Sequence, residues 1–266
     1  MPDAAEVGFI GRSFLIATFP HRDPGDVTSF VRRNGTYTLT VYPGRYGLPY
    51  GTYPRLVLAW MSTAAVRQGT RHLRLDASVE AFMNRLGLEL TGGKTGTLEP
   101  FKEQMHRLLT CRLNIDAGMH HGEPFPMATD ADLWWDAQRV PYDENESSSI
   151  APTITLGKVA CHQMRRHPIP FDMRVLRAVR QSPLAVDLYL WLTYRVSYLK
   201  TATEISWRQL HDQFGADYAE VKQFARKVRK HLKAIQLAWP ELQYETPYGR
   251  LRLHPSMPHI SPRGAS

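Results

Sequence analysis

The stretch SWRQLHDQFGADYAEVKQFARKVRKHLKAIQLAWP, residues 206–240, decides how this chain is read. Ser206 followed by Gln209 is a capping-box pattern that opens a helix, and Gly215 ends it. A long helix follows from Tyr218 to about Trp239, closed by Pro240. At the helical repeat, Val221, Phe224, Val228, Leu232, Ile235 and Trp239 fall within an arc of about 80°. Lys222, Arg226, Arg229 and Lys233 form a separate stripe centred roughly 130° round from it. Lys230 widens the stripe, and Lys227 lies further round. After Glu220 no acidic residue occurs until Glu241, so these cations repel one another without a neighbour to offset them. A helix of this kind, set after a capped helix and a turn, suits the phosphates and base edges of double-stranded DNA.

The flanks complete a unit. Ser182-Pro183 opens an apolar helix to about Leu199, and Thr203-Glu204-Ile205 is a short strand. After the long helix comes a hairpin, Leu242–Glu245 and Arg250–Leu253, around Pro247-Tyr248-Gly249. Helix, strand, helix, helix, hairpin is the order of a winged helix-turn-helix, and Arg250 and Arg252 on the hairpin join the candidate DNA contacts.

Upstream the order recurs, more faintly. Phe14–Phe19 reads as a strand, and Ser29–Arg33 with Thr36–Val41 as a hairpin around Asn34-Gly35. Pro43–Gly51 is a loop, and Arg55 to about Arg67 an apolar helix. Leu73-Arg74-Leu75 is a short strand, and Ser78 caps a helix that Gly87 stops. Thr91–Gly96 leads to a helix from Thr97 to about Thr110, with Leu98, Phe101, Met105 and Leu108 on one stripe. Arg112–Asp116 then reads as a strand, with the loop through His120-His121-Gly122 as the wing. Residues 137–150 read as a solvated connector, and Ile154–Leu156 and Val159 onward as closing strands. The turn at His167-Pro168-Ile169-Pro170 marks the boundary. The expectation is an α+β chain of two tandem winged helix-turn-helix domains, residues 11–164 and 165–266, after a flexible 1–10 and with a short flexible C-terminus.

Charge follows the same division. Residues 1–164 hold 16 Lys and Arg against 17 Asp and Glu, and residues 165–266 hold 17 against 8. The net charge of +8 therefore sits in the second half, which is expected to supply most of the DNA binding. In the first half, Lys94, Thr95 and Thr97 near the helix start, then Lys102, offer a weaker contact through the helix N-terminus. A dimerisation role for that domain explains it equally well.

Other classes fare poorly. Gly93-Lys94-Thr95 is not a phosphate-binding loop, because Leu88 stands where the pattern needs glycine. His120-His121 are adjacent, His162 and His167 lack a cysteine pair, and no His-x-His occurs, so neither a metal-dependent nuclease nor a zinc site is expected. Asp130, Asp132 and Asp136 read as loop acids, and no nucleophile motif is present. No enzyme activity, metal or cofactor is expected. No run approaches the roughly 18 apolar residues of a membrane span. An acidic start and only two cysteines, Cys111 and Cys161, suit a bacterial cytoplasm.

Several blocks resemble the RepA-type plasmid replication initiators of proteobacteria. They are Gly47-Leu48-Pro49-Tyr50-Gly51 with Pro54–Trp60, Leu90-Thr91-Gly92-Gly93 with Gly96-Thr97, Ser182–Arg195, Phe214–Tyr218, and Arg252–Ser256. The resemblance implies a theta-type initiator that binds direct repeats at its origin and helps open adjoining A·T-rich DNA. It also implies engagement of the host chromosomal initiator and replicative helicase, and a monomer–dimer equilibrium in which dimers repress the protein's own gene. The alternatives are a winged-helix transcriptional repressor and a coating protein without sequence preference.

Overall fold

The computed structural model describes residues 6–93, 95–118, 122–136, 151–215 and 218–260. Its second half follows the sequence closely. Helix α7 (Pro183–Ser197) is followed by strand β10 (Thr203–Ser206), helix α8 (Trp207–Phe214), helix α9 (Val221–Ala238) and strands β11 (Tyr244–Glu245) and β12 (Arg250–Leu253). Ser206 and Gln209 form both halves of the capping box, and the Ser182 hydroxyl accepts from the Ala185 amide. The three strands lie in the order β10-β12-β11. Phe224, Val228, Leu232 and Ile235 turn the apolar face of α9 into the core, and Trp239 is fully buried just beyond its end.

The first half repeats this run with a detour. Helix α2 (Tyr53–Gln68), strand β4 (His72–Arg74), helix α3 (Val79–Arg85) and helix α4 (Leu98–Thr110) correspond in order to α7, β10, α8 and α9. The hairpin that completes the set is β7 (Ala128–Asp132) with β8 (Thr153–Leu156), in the strand order β4-β8-β7, the same pattern as in the second half. This corrects the expected place of the wing. Strand β5 (Arg112–Ala117) does not lead into the matching hairpin. It joins β2 (Phe30–Asn34), β3 (Tyr37–Tyr42) and β6 (Phe125–Pro126) in a separate four-stranded sheet. The registers Leu39↔Ile115 and Val41↔Leu113 bring apolar side chains together there, a match between distant segments that local periodicity cannot reveal. His120 and His121 lie outside the described residues. So do residues 137–150, which separate β7 from β8 in the chain.

Two shorter segments also differ. Ser13–Ile16 is a helical turn, α1, rather than a strand, and Lys158–Arg165 is helix α5. Short apolar runs carry no period that separates helix from strand. In α5 the buried residues Ala160, Cys161 and Met164 reveal the helical spacing. Cys111 and Cys161 are free buried thiols.

A strand pair and a buried ion pair are among the contacts that hold the halves together. Strand β1 (Val7–Gly11) pairs antiparallel with β9 (Pro168–Asp172), so residues 7–10, expected in a loose terminus, are an ordered strand. Its close approach needs glycine, since a Cβ on Gly8 would meet the Phe171 ring at 2.3 Å. Helix α6 (Met173–Ala178), capped by Asp172, then leads to α7. The second tie is ionic. Arg55 of α2 donates from Nε to Asp187 Oδ1 at 2.7 Å and from Nη2 to Oδ2 at 2.9 Å, and Asp187 stands on α7. The same guanidinium reaches the carbonyls of Phe19, Pro20 and Gly51, and His21 Nε2 lies 2.8 Å from Asp187 Oδ2. His21, Arg55 and Asp187 are all buried.

Burial would raise the Asp187 pKa, but Arg55 and His21 outweigh it and hold the carboxyl far below its usual range. His21, His106, His231 and His259 are all pushed below the ordinary histidine value, in each case first by burial. The unfolded chain therefore binds protons on these rings near pH 6.5, where the folded chain does not. Stability is expected to fall as pH drops from about 7.5 to 5.5. Urea midpoints across that range check this, and a flat or rising midpoint contradicts it.

Candidate nucleic-acid interface

Helix α9 is held along its inner face and at its C-terminal end. His231 Nε2 lies 3.2 Å from the Ser182 hydroxyl at the start of α7, and the Gln236 amide donates to the Leu242 carbonyl. Trp239 stacks on His259, whose Nδ1 lies 2.9 Å from the Tyr189 hydroxyl, so the chain packs back on the body as far as His259. Anchored this way, the helix presents Lys222, Arg226, Lys227, Lys230 and Lys233 to solvent. Among the described residues none of the five has a carboxylate partner. Arg229, from the same stripe, is different. It is half-buried, with its guanidinium carbon 4.7 Å from the centre of the Trp207 ring at the start of α8.

The hairpin arginines are paired internally. Arg250 Nη1 lies 2.5 Å from Glu204 Oε2 across the β10–β12 ladder. Arg252 contacts Glu204 Oε1 at 2.5 Å and Glu245 Oε2 at 3.2 Å. Their charge is largely offset, and the exposed tip of the hairpin is Tyr248.

In the first half the sequence-predicted residues are similarly engaged. Lys102 pairs with Glu99 at 2.9 Å and sits 5.7 Å from the Trp135 ring. The Thr97 hydroxyl donates to the Glu89 carbonyl at 2.6 Å and accepts from the Thr91 amide at 3.0 Å, which closes the turn before α4. Thr95 is exposed on that turn, and Lys94 lies outside the described residues. The helix N-terminus has little left for an anion. The Leu98 amide is bonded to the Thr91 carbonyl, Pro100 has no N–H, and Glu99 adds negative charge. Arg107 is bound to Glu103 and to the Leu48 carbonyl. Trp135 Nε1 donates to His106 Nε2 at 2.9 Å, and Tyr46 stacks on the same ring. The structure therefore gathers free cations on α9 and not on α4.

The model of the plasmid-encoded RepA protein family matches residues 48–209, more than half of the chain. This chain belongs to the plasmid-encoded RepA family. The RepA match takes in both Arg55 and Asp187 and ends at Gln209, before α9 begins. In fold, this RepA-family chain is similar to a crystal structure of domains 2 and 3 of RctB. The TM-score is 0.56 at 9% identity, covering 91% of this chain and 95% of that one. A second crystal structure of RctB domains 2-3 gives 0.51 at 10% identity, covering 88% and 92%. No curated protein matches the chain.

Three features of the RepA-family chain escaped the sequence reading. Glu204 pairs with both hairpin arginines, a cross-strand contact that depends on register. Trp207 supports Arg229, a contact between two helices. The third is a basic cleft on α5, whose residues are far apart in the chain. Among the described residues no helix is long and apolar enough to cross a membrane, and no group of three or more His, Cys, Asp or Glu is placed to hold a metal.

Proposed function

We propose that this protein is a plasmid replication initiator built from two tandem winged helix-turn-helix units. In this reading it binds direct repeats in double-stranded origin DNA through α9, opens adjoining A·T-rich DNA, and recruits the host chromosomal initiator and replicative helicase. The observation that carries it is the set of exposed cations on α9, unopposed and rigidly mounted on a helix that follows a capped helix and a turn. Membership of the RepA family supplies the replication context, and the repeated strand order in the two halves supports the tandem units. The exposed lysines suit phosphates, and Arg226 and Arg229 suit base edges. The first half, with its cations paired internally, takes a secondary contact, a dimer contact, or both. No catalytic step is assigned.

Trp207 is the positioning residue in this scheme. Trp207→Leu keeps an apolar side chain under Arg229 but removes the ring that orients it. Discrimination at one base pair is expected to relax while the salt dependence of binding, which counts charges, stays unchanged. Equal discrimination by the variant would remove Arg229 from base reading.

Permanganate probing of a supercoiled plasmid carrying the protein's own upstream DNA tests initiation itself. Adding the protein should make thymines reactive in an A·T-rich tract beside direct repeats, and deleting the repeats should abolish this. Protection of a lone inverted repeat over a promoter, with no reactive tract, would instead make the protein a repressor.

A further inference from the structure

We infer that a second, sequence-independent site for the phosphodiester backbone of DNA lies in the cleft between the end of α2 and helix α5. The inference rests on the DNA-binding reading above but on none of its residues. Helix α2 ends at Gly69, in the left-handed region at φ 69°, and the chain turns through Thr70 and Arg71 into β4. Because β4 and β8 run antiparallel, with His72 opposite Thr155, the start of β4 adjoins the end of β8, where α5 begins. Arg71 is thereby brought beside Lys158, His162, Arg165 and Arg166, which share one side of α5 and its C-cap. These side chains line a cleft of about 640 Å³.

The lining and its mount define what the cleft takes. No carboxylate lines the cleft, and among the described residues none of Lys158, Arg165 and Arg166 is ion-paired. Arg71 is held in place by its bond to the Leu156 carbonyl at 3.1 Å. The remainder of the lining is Gly69, Thr70 and Cys161, and the cleft has no Phe, Tyr or Trp platform for bases, so its four Lys and Arg side chains point to phosphate as the matching ligand chemistry. Lys158, His162, Arg165 and Arg166 are all exposed, so the cleft is an open trough suited to a continuous polyanion rather than an enclosed small molecule. The mount is rigid, since Ala160, Cys161 and Met164 fix α5 in the core. The cleft lies at the end of the β4-β8-β7 sheet opposite the β7–β8 connection, on elements separate from α9.

The test is equilibrium binding of the intact protein to a duplex with direct repeats and to one without, between 50 and 200 mM salt. The variant carries Lys158→Ala, Arg165→Ala and Arg166→Ala, all surface positions, and its thermal transition is recorded alongside. The plot of log K against log salt should become shallower by about 0.9 for each phosphate no longer neutralised, equally on both duplexes, with the preference for repeats retained. An unchanged slope on both duplexes overturns the site. Calorimetry with inorganic pyrophosphate is the second arm. Pyrophosphate binding that the variant loses, together with an unchanged DNA slope, would assign the cleft to a small phosphate and overturn the duplex assignment. Failure of the parent reading shows separately, as a wild-type protein with no preference for the repeats.

Discussion

Asp187→Ala is expected to lower the free energy of unfolding by about 3–5 kcal/mol, because it leaves the Arg55 guanidinium buried without its counter-charge. Arg55 and Asp187 are 3% and 4% exposed, so water cannot take the place of the lost carboxylate. Three backbone carbonyls, of Phe19, Pro20 and Gly51, still hold the guanidinium, which prevents it from swinging out to solvent. Against a total stability of roughly 5–15 kcal/mol, a loss of this size leaves much of the protein unfolded at physiological temperature. Urea denaturation of the two proteins gives the difference directly. The double variant Arg55→Met with Asp187→Leu removes both charges and should recover much of the loss. A single-variant cost below about 1 kcal/mol would mean that the pair contributes no more than a surface ion pair. Because the pair bridges α2 and α7, the same measurement reports how firmly the two halves are joined. Cutting the chain at residue 164 would separate this pair and also strip β1 from β9.

The second large effect concerns DNA. The triple variant Lys222→Ala, Arg226→Ala and Lys230→Ala should lower the slope of log K against log salt by about 0.9 for each phosphate that these side chains neutralise. Arg226→Ala alone should cost about 1–3 kcal/mol and relax one base position if that side chain reads a guanine. Folding should be unaffected or slightly improved, since Lys222, Arg226 and Lys230 are exposed like charges at i,i+4 spacing. Anisotropy titrations over a salt series measure both quantities, and a wild-type slope in the triple variant would remove α9 from the interface.

What the sequence revealed depended on distance along the chain. Helix α9 and its apolar face, the Ser206–Gln209 cap and the Asn34-Gly35 hairpin were legible, because each signal lies within a few residues of what it controls. The pairing of β5 with β3 and of β1 with β9 was not, since each joins segments far apart in sequence. The candidate site divides the same way. The unopposed charge on α9 could be counted from the sequence alone. The pairing of Arg250 and Arg252 with Glu204 depends on the register Glu204↔Arg252, which no local pattern specifies. The basic cleft was hidden for the same reason, because Arg71 and the α5 residues meet only once β4 has paired with β8.

Footprint titration of the intact protein and the Lys222, Arg226 and Lys230 triple alanine variant, on the same upstream DNA and at one salt concentration, tests the central claim most directly. The account predicts that the wild-type protein protects direct repeats and that the variant, with an unchanged thermal transition, loses that protection across the whole array. Protection of the same repeats by the variant at the same protein concentration would contradict it, and would place the reading of DNA on another surface of the molecule.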